Sequence, residues 1–263
     1  MKKVVIENAV VIKRDRLNGD CRSLTIGNFP KSRLLKPGQF VHIRIPGPDV
    51  YFRRAFSVYD INPRAKSLQV IFKIVGRGTA LLAELRKGDR LNVMGPLGKG
   101  FDFPFLRDKV ILIAGGIGMP PIYFLAKKLI ESKYDRRKIL FFYGGKTKKE
   151  LVNMAHIRKL GIKLYPTTDN GSYGFRGFVT KAVREFLNTE TGQFRIYACG
   201  PQAMLRAVEE IARKYSIPGQ ISVEAPMPCG MGICQGCVLP LVSGGYTRVC
   251  RDGPVYQFGE VLL

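Results

Sequence analysis

Histidine is scarce in this sequence, with two in 263 residues, His42 and His156. Neither lies in a recognisable nucleophile or metal motif, so hydrolysis built on an imidazole base is unsupported and a structural role is expected for each ring. Long apolar runs are missing too. The longest uncharged stretch, residues 110–126, falls short of the ~20 residues that span a bilayer. It also holds Gly115, Gly116, Gly118, Pro120 and Pro121, a mixture that suits a strand, a tight turn and a helix start. A secretory leader is not expected. Lys2 and Lys3 precede an apolar run, but Glu7 and Asn8 interrupt it and no small-residue cleavage site follows. The expectation is a first strand in a cytoplasmic protein, with no membrane span. Internal repeats and low-complexity tracts are absent.

Acidic residues are also few, 20 against 43 lysines and arginines, for a formal net charge of +23. So basic a chain invites nucleic acid as a partner. The positive residues are dispersed, however, with only short runs such as Arg136-Arg137-Lys138 and Lys146-Thr147-Lys148-Lys149. No nucleic-acid module is legible, and no such partner is expected. The distribution of charge says more than its sum. Residues 220–263 hold two basic residues (Arg248, Arg251) and three acidic ones (Glu224, Asp252, Glu260), a net of −1. The first 219 residues therefore carry all the excess, and the tail is built under different rules.

What is present is ordinary globular material, 46% hydrophobic and 24% charged, enough to bury a core. Residues 4–14, 21–26, 39–45, 55–60, 68–75 and 90–94 are rich in Val, Ile, Phe or Tyr and bounded by turn formers, which predicts six short strands. Strands at that spacing suggest a small antiparallel barrel, interrupted by one helix over 79–87. After a linker at 101–109 the pattern changes. Strands predicted at 110–114, 139–143, 163–167 and 195–199 alternate with helices from near Pro120-Pro121 and over 149–160, 180–188 and 202–214. That alternation implies a doubly wound parallel sheet. The fold class is α+β multidomain: an antiparallel β-barrel (residues 1–101), a doubly wound parallel α/β domain (102–219) and a small loop-rich segment (220–263) too short to fold without a staple.

The staple is a cysteine cluster. Cys229, Cys234, Cys237 and Cys250 stand in C-x4-C-x2-C-x12-C spacing, whose first three positions repeat the plant-type ferredoxin pattern for a [2Fe-2S] centre. One loop must wrap the inorganic core, and Gly230, Gly232 and Gly236 let its backbone turn and bring N–H groups to the sulfurs. Zinc remains as an alternative, although structural zinc sites favour paired short knuckles. Disulfides are not expected without an export signal. Cys21, alone on a strand, reads as core packing.

Several shorter motifs accompany the cluster. Arg54-Ala55-Phe56-Ser57 lies on a barrel strand, where alternation sends Arg54 and Phe56 to one side and Ala55 and Ser57 to the other. Gly76-Arg77-Gly78-Thr79 precedes a helix, a place suited to phosphate; the plain alternative is a turn with Thr79 as N-cap. Gly95-Pro96-Leu97-Gly98 closes the barrel. Ala114-Gly115-Gly116-Ile117-Gly118-Met119-Pro120-Pro121 follows a strand and opens a helix, the context of a dinucleotide-binding turn. Tyr197-Ala198-Cys199-Gly200-Pro201 ends a strand at the carboxyl edge of the sheet, where ligands of such folds bind.

In this order the segments resemble the ferredoxin–NADP reductase family. With the cysteine tail and Asp169-Asn170-Gly171-Ser172-Tyr173-Gly174, the whole chain is similar to the electron-transfer subunits of two-subunit, NAD-linked dihydroorotate dehydrogenases. The resemblance implies FAD, a [2Fe-2S] cluster and NAD as cofactors, with NADP not excluded. It implies an FMN-containing dihydroorotate dehydrogenase catalytic subunit as partner, in a heterotetramer of two of each, serving pyrimidine biosynthesis. Arg54 would hold the FAD pyrophosphate and Ser57 would approach flavin N5, with Ala55, Phe56 and Ile74 beside them. Gly76, Gly78 and Thr79 would bind the FAD phosphates. Gly116 and Gly118 would bring the pyridine nucleotide close, while Cys199, Gly200 and Pro201 would lie near its nicotinamide. The four cysteines would hold the iron, and no side chain is assigned as a catalytic acid or base. Ala55 stands where this subfamily has proline, and Pro120 where it has a small residue.

A flavin and iron–sulfur subunit of another complex, a sulfide dehydrogenase, hydrogenase or ferredoxin:NADP oxidoreductase, keeps the same cofactors. Transhydrogenase-type subunits replace the first cluster cysteine with aspartate, so Cys229 argues against that one. The loop after the second strand of the α/β domain has no acid at the strand end to bind a ribose 2′-hydroxyl. Lysines there admit a 2′-phosphate, so NADH preference with some NADPH use is expected. The nearly uncharged tail and the apolar end Val261-Leu262-Leu263 predict a partner face formed by residues 229–250 and the C-terminus.

Overall fold

The computed structural model describes residues 4–47 and 50–263; Lys2, Lys3 and the expected start of the barrel domain at residue 1 lie outside them. Six strands form a closed antiparallel barrel: β1 (Val5–Arg16), β2 (Cys21–Gly27), β3 (Phe40–Ile43), β4 (Arg54–Asn62), β5 (Ser67–Lys73) and β6 (Arg90–Leu97), in the order β1-β2-β5-β4-β3-β6. Closure leaves no edge strand to protect. Inward-facing Val41, Ile43, Phe56, Val58, Val70 and Val93 fill its interior. The barrel's helix, α1 (Arg77–Glu84), starts earlier than predicted because Gly76 is its N-cap. Thr79 is therefore not the N-cap. It sits one turn in, where its Oγ1 accepts the Val75 and Gly76 N–H groups at 2.9 and 3.2 Å.

The second unit is a seven-stranded sheet. Its strands are β7 (Lys109–Gly115), β8 (Ile139–Gly145), β9 (Lys163–Thr168), β10 (Phe175–Arg176), β11 (Phe194–Cys199), β12 (Gly219–Ser222) and, after two more strands, β15 (Val255–Gln257). The order is β10-β9-β8-β7-β11-β12-β15, all parallel except the last pair. Central strands β7 and β8 read Lys-Val-Ile-Leu-Ile-Ala-Gly and Ile-Leu-Phe-Phe-Tyr-Gly-Gly, apolar at successive positions because helices cover both faces. Helix α2 (Met119–Glu131) packs on one face; α4 (Val179–Thr189) and α5 (Gln202–Lys214) pack on the other. The helix predicted over 149–160 is shorter. A 3-10 turn at Lys148–Glu150 is followed by Asn153 in the left-handed region (φ 55°), and only then does α3 (Met154–Lys159) begin.

The tail is more integrated than its loop-rich composition implies. The boundary expected between residues 219 and 220 falls inside β12, and β15 then returns to pair with that strand. Between them, β13 (Val238–Pro240) and β14 (Tyr246–Arg248) make a hairpin that carries the cysteine loops. Cys237, Val249, Cys250, Tyr256 and Val261 join the core on the α4/α5 side of the sheet. The barrel meets the sheet through Tyr59, which stacks on Tyr123 at 4.3 Å and hydrogen-bonds His156 Nδ1 at 2.9 Å, and through Lys127 and Asp60 at 2.6 Å. His156 is thus the structural histidine expected of it. Among the described residues no helix is long and apolar enough to cross a membrane.

Candidate functional site: a flavin cleft between a nucleotide cleft and a thiolate loop

Strand β4 presents Arg54, Ala55, Phe56 and Ser57 to a cleft of about 350 Å³ between the barrel and the sheet, within the range of small-molecule sites. Thr79 and Lys73 extend the barrel wall, and Phe40 adds an aromatic face opposite Ser57 in the strand register. The other wall comes from the sheet's carboxyl edge, with Ile117, Pro120 and Cys199, and from the start of the tail, with Ser222, Glu224 and Met227. Ile74 does not line this cleft; it is half-buried against the barrel core. Ser222 and Glu224 were missed in the sequence because no motif marks them. Only the addition of β12 beside β11 brings them here.

The phosphate end has an electrostatic signature. The Arg54 guanidinium donates to the Phe52 and Arg53 carbonyls at 2.9 and 3.3 Å. It stands beside the N-terminus of α1, so that a Cβ on Gly78 would lie 3.6 Å from Arg54 Nε. A helix N-terminus carries about +0.5 charge, so a guanidinium there meets a potential of its own sign. An anion between the two resolves the conflict, as a dinucleotide pyrophosphate would. These residues fit FAD.

Burial pushes the Cys199 thiol well above its usual range, and Glu224 adds to the effect, so Cys199 faces the cleft as a neutral thiol. Glu224 opens to the cleft's solvent on one side and is hemmed in by protein on the others; that burial raises its carboxyl.

The nucleotide cleft lies over the sheet edge, lined by Gly115, Gly116, Gly144, Lys146, Asp169 and Pro201 among others. Gly116 has φ +51° and open space where a Cβ would stand, so a ligand meets bare backbone there. Gly118 differs. A Cβ on it would come within 2.4 Å of the Cys199 carbonyl oxygen, and a Cβ on Gly200 would stand 3.1 Å from the Gly115 Cα. Gly118 and Gly200 let the two turns interlock, while Gly116 and Pro201 face the cleft and Cys199 faces the flavin side. Asp169, just after β9, lines this cleft, as does Glu150 from the turn after β8, whose carboxylate accepts the Lys146 N–H at 2.9 Å.

The thiolate loop closes the barrel side. Each sulfur accepts a backbone N–H: Cys229 from Met231, Cys234 from Gly236 and Cys237 from Cys250, all at 3.4 Å, and Cys250 from Gly232 at 3.1 Å. Gly230 and Gly232 take φ of +69° and +78° to aim these groups. Although burial pushes the Cys229 thiol up, the Cys234, Met231 and Ile233 N–H groups outweigh it and bring it down to about 6. Burial raises Cys250 to about 12, with Cys237 adding to it. The four thiols form one interacting group, Cys229 acting with Cys234 and Cys250, and Cys237 with Cys250. The donor set is four sulfurs with no histidine or carboxylate among them, spaced C-x4-C-x2-C-x12-C rather than in the paired short knuckles of structural zinc sites. Four cysteine sulfurs, each already accepting a backbone N–H, would hold two irons, and these residues fit a [2Fe-2S] cluster.

Around this loop lie exposed apolar side chains, Ile233 at 74% exposure with Met231, Val242 and Tyr246, interspersed with exposed Gln235 and Arg251. The C-terminus departs from expectation. Val261 is buried in a bridge to Leu241, the Leu262 N–H donates to the Pro240 carbonyl at 2.9 Å, and the Leu263 carbonyl accepts from Arg206 Nε at 2.7 Å. Three apolar residues end the chain because they cover the β13 strand and α5, and only Leu262 is left exposed. His42, fully buried on β3, is pushed down to about 4, first by burial and then by Arg53, so its ring is neutral.

Three family models match in succession: the oxidoreductase FAD-binding domain over residues 8–101, the oxidoreductase NAD-binding domain over 112–210, and the iron-sulfur cluster binding domain of dihydroorotate dehydrogenase B over 224–262. The chain is 37% identical over 264 residues to the dihydroorotate dehydrogenase B (NAD(+)) electron transfer subunit of Fusobacterium nucleatum, covering 97% of this chain and 98% of that one. It is 36% identical to the subunit of the same name from Geobacillus thermodenitrificans, covering 98% of each. Among solved structures, an NADH-dependent reduced ferredoxin-NADP oxidoreductase superposes with a TM-score of 0.85 at 28% identity, covering 97% of this chain and 90% of that one.

Proposed function

Because this chain belongs to the family of dihydroorotate dehydrogenase B electron transfer subunits, we propose that it carries electrons from dihydroorotate to NAD+ in pyrimidine biosynthesis. The dihydroorotate is oxidised on an FMN-bearing catalytic subunit, and the electrons reach NAD+ by way of this chain's [2Fe-2S] cluster and FAD. When bound, the cluster supplies one-electron transfer, and the flavin converts it to the two-electron chemistry of the nicotinamide. The observation that carries the reading is convergence. One cleft is walled by the β4 motif, by Cys199 of the nucleotide domain and by residues 222–227, which lead directly into the thiolate loop.

The residues divide the work by place. Arg54, with the N–H groups of Gly78 and Thr79, would hold the FAD phosphates, with Gly76 as the helix N-cap beside them, and Ala55, Phe56 and Ser57 would form the wall along the flavin ring. Gly116 and Pro201 admit the nucleotide, and Asp169 accepts from its ribose. Cys199, facing the flavin cleft from the nucleotide domain, stays protonated and would add no charge beside the flavin. Cys229, Cys234, Cys237 and Cys250 hold the iron. The three units act as a flavin domain (residues 1–101), a nucleotide domain (102–219) and a cluster segment (220–263) sharing the sheet. The partner docks on the apolar surface around Ile233, two copies of each chain forming a cytoplasmic heterotetramer.

Anaerobic purification tests the cofactor set: about one FAD, two irons and two acid-labile sulfides per chain are expected. A colourless protein with stoichiometric zinc overturns it.

A further inference from the structure

Five buried side-chain nitrogen or oxygen atoms lack a hydrogen-bond partner among the described residues, and two of them are the ring nitrogens of His42. A neutral imidazole carries one N–H and one lone pair, and burying both unmet is costly unless something else meets them. Alternation on β3 places Val41 and Ile43 in the barrel core, so Phe40 and His42 share the outer face, with ring centroids 5.6 Å apart. Across the strands His42 faces Ala55, which lines the flavin cleft, and Met94, which offers no strong acceptor.

The remaining side is the thiolate loop. A Cβ on Gly230 would stand 2.6 Å from His42 Cε1, 2.7 Å from Nδ1 and 3.1 Å from Nε2. The Cε1–Nδ1 side of the ring therefore packs nearest this glycine, the residue after Cys229, with Nε2 a little farther off. Any larger residue there would push the loop off the barrel.

Resting on the cluster assignment above, we propose that His42 is a positioning residue for the iron–sulfur centre. Its ring N–H donates to a sulfur of the bound cluster or to the Cys229 thiolate, tying the loop to the flavin wall and favouring the reduced cluster. A donor to sulfur stabilises the added negative charge, so its removal makes reduction harder.

The test uses the FAD- and cluster-loaded chain with 15N-labelled histidine. The reduced cluster of the natural sequence should show a 15N hyperfine coupling in pulsed EPR. It should persist in His156→Gln, whose histidine bonds Tyr59 instead, and vanish in His42→Gln. In redox titration His42→Leu should shift the cluster's reduction equilibrium about tenfold toward the oxidised form, ~59 mV for one electron. His42→Gln, which keeps an N–H donor, should shift it less. A merely structural ring would lose iron without moving the potential of the clusters that remain. No histidine coupling in the natural protein overturns the proposal even if the variants fail to fold. So does an unchanged cluster potential in iron-replete His42→Leu, or a shift confined to the flavin couple. A chain with no iron and no labile sulfide overturns the cluster assignment itself, a distinct result.

Discussion

Replacing Arg54 with alanine should affect binding and folding in different directions. In the loaded protein the guanidinium meets a pyrophosphate, and charge-assisted hydrogen bonds of that kind contribute about 1.5–3 kcal/mol. Losing them should weaken FAD binding roughly 10- to 150-fold. Without FAD the same charge faces the N-terminus of α1, an unfavourable placement of about 0.3–1 kcal/mol. Its bonds to the Phe52 and Arg53 carbonyls are exposed, and water replaces them. The flavin-free Arg54→Ala chain should therefore unfold in urea within about 0.5 kcal/mol of the natural chain, or slightly above it. Arg54→Lys keeps the charge but not the fork, and should fall between in FAD affinity. Fluorescence quenching on FAD titration, with urea unfolding of the apo chain, reads both quantities. An FAD Kd within threefold of the natural chain's refutes the pyrophosphate placement. A loss of apo stability above ~1.5 kcal/mol shows instead that Arg54 is a structural residue.

Cys234→Ser should lose iron and labile sulfide while FAD largely remains, since the β4 wall does not depend on the loop; iron and flavin assays on one sample check this. Ile233→Asp, at an exposed position, should change stability by no more than ~0.5 kcal/mol yet weaken partner binding by an order of magnitude or more. NADH-driven dye reduction by the chain alone should stay intact, and binding of the natural chain should survive moderate salt because apolar burial is not screened; dissociation by salt alone contradicts this docking face. NADH should exceed NADPH in kcat/KM, with Lys146 in the cleft permitting measurable NADPH use. Lys146→Glu should widen the gap, and a higher kcat/KM for NADPH in the natural chain would count against the NAD assignment.

The local features of this protein were legible in its sequence, and the long-range ones were not. The cysteine loop could be read because one short segment holds three of its four ligands and the glycines that aim its N–H groups. Arg54, Thr79 and Cys199 could be named from their motifs, but only folding shows that β4, α1 and β11 carry them to one cleft. Strands β12 and β15, four and three residues long, carry too little pattern to be seen. The tail therefore read as an appendage, and Ser222 and Glu224 escaped notice. Asn153 broke a helix that periodicity had joined. Gly118 read as a ligand contact until the Cys199 carbonyl stood where its Cβ would be. Residues 261–263 read as exposed because apolarity alone does not say which surface they cover. His42 was expected to be structural, and its unmet nitrogens beneath Gly230 were beyond the reach of spacing.

The central claim is that electrons pass through this chain between dihydroorotate and NAD+. Its most direct test is anaerobic mixing of dihydroorotate and NAD+ with the chain reassembled on the proposed catalytic partner. The account predicts NADH formation with bleaching of the cluster's visible absorbance, neither of which occurs without the partner. It also predicts that Cys234→Ser abolishes NADH formation in the assembled complex while leaving dihydroorotate oxidation by an artificial acceptor on the catalytic subunit. Undiminished NADH formation by the cluster-free variant contradicts the account.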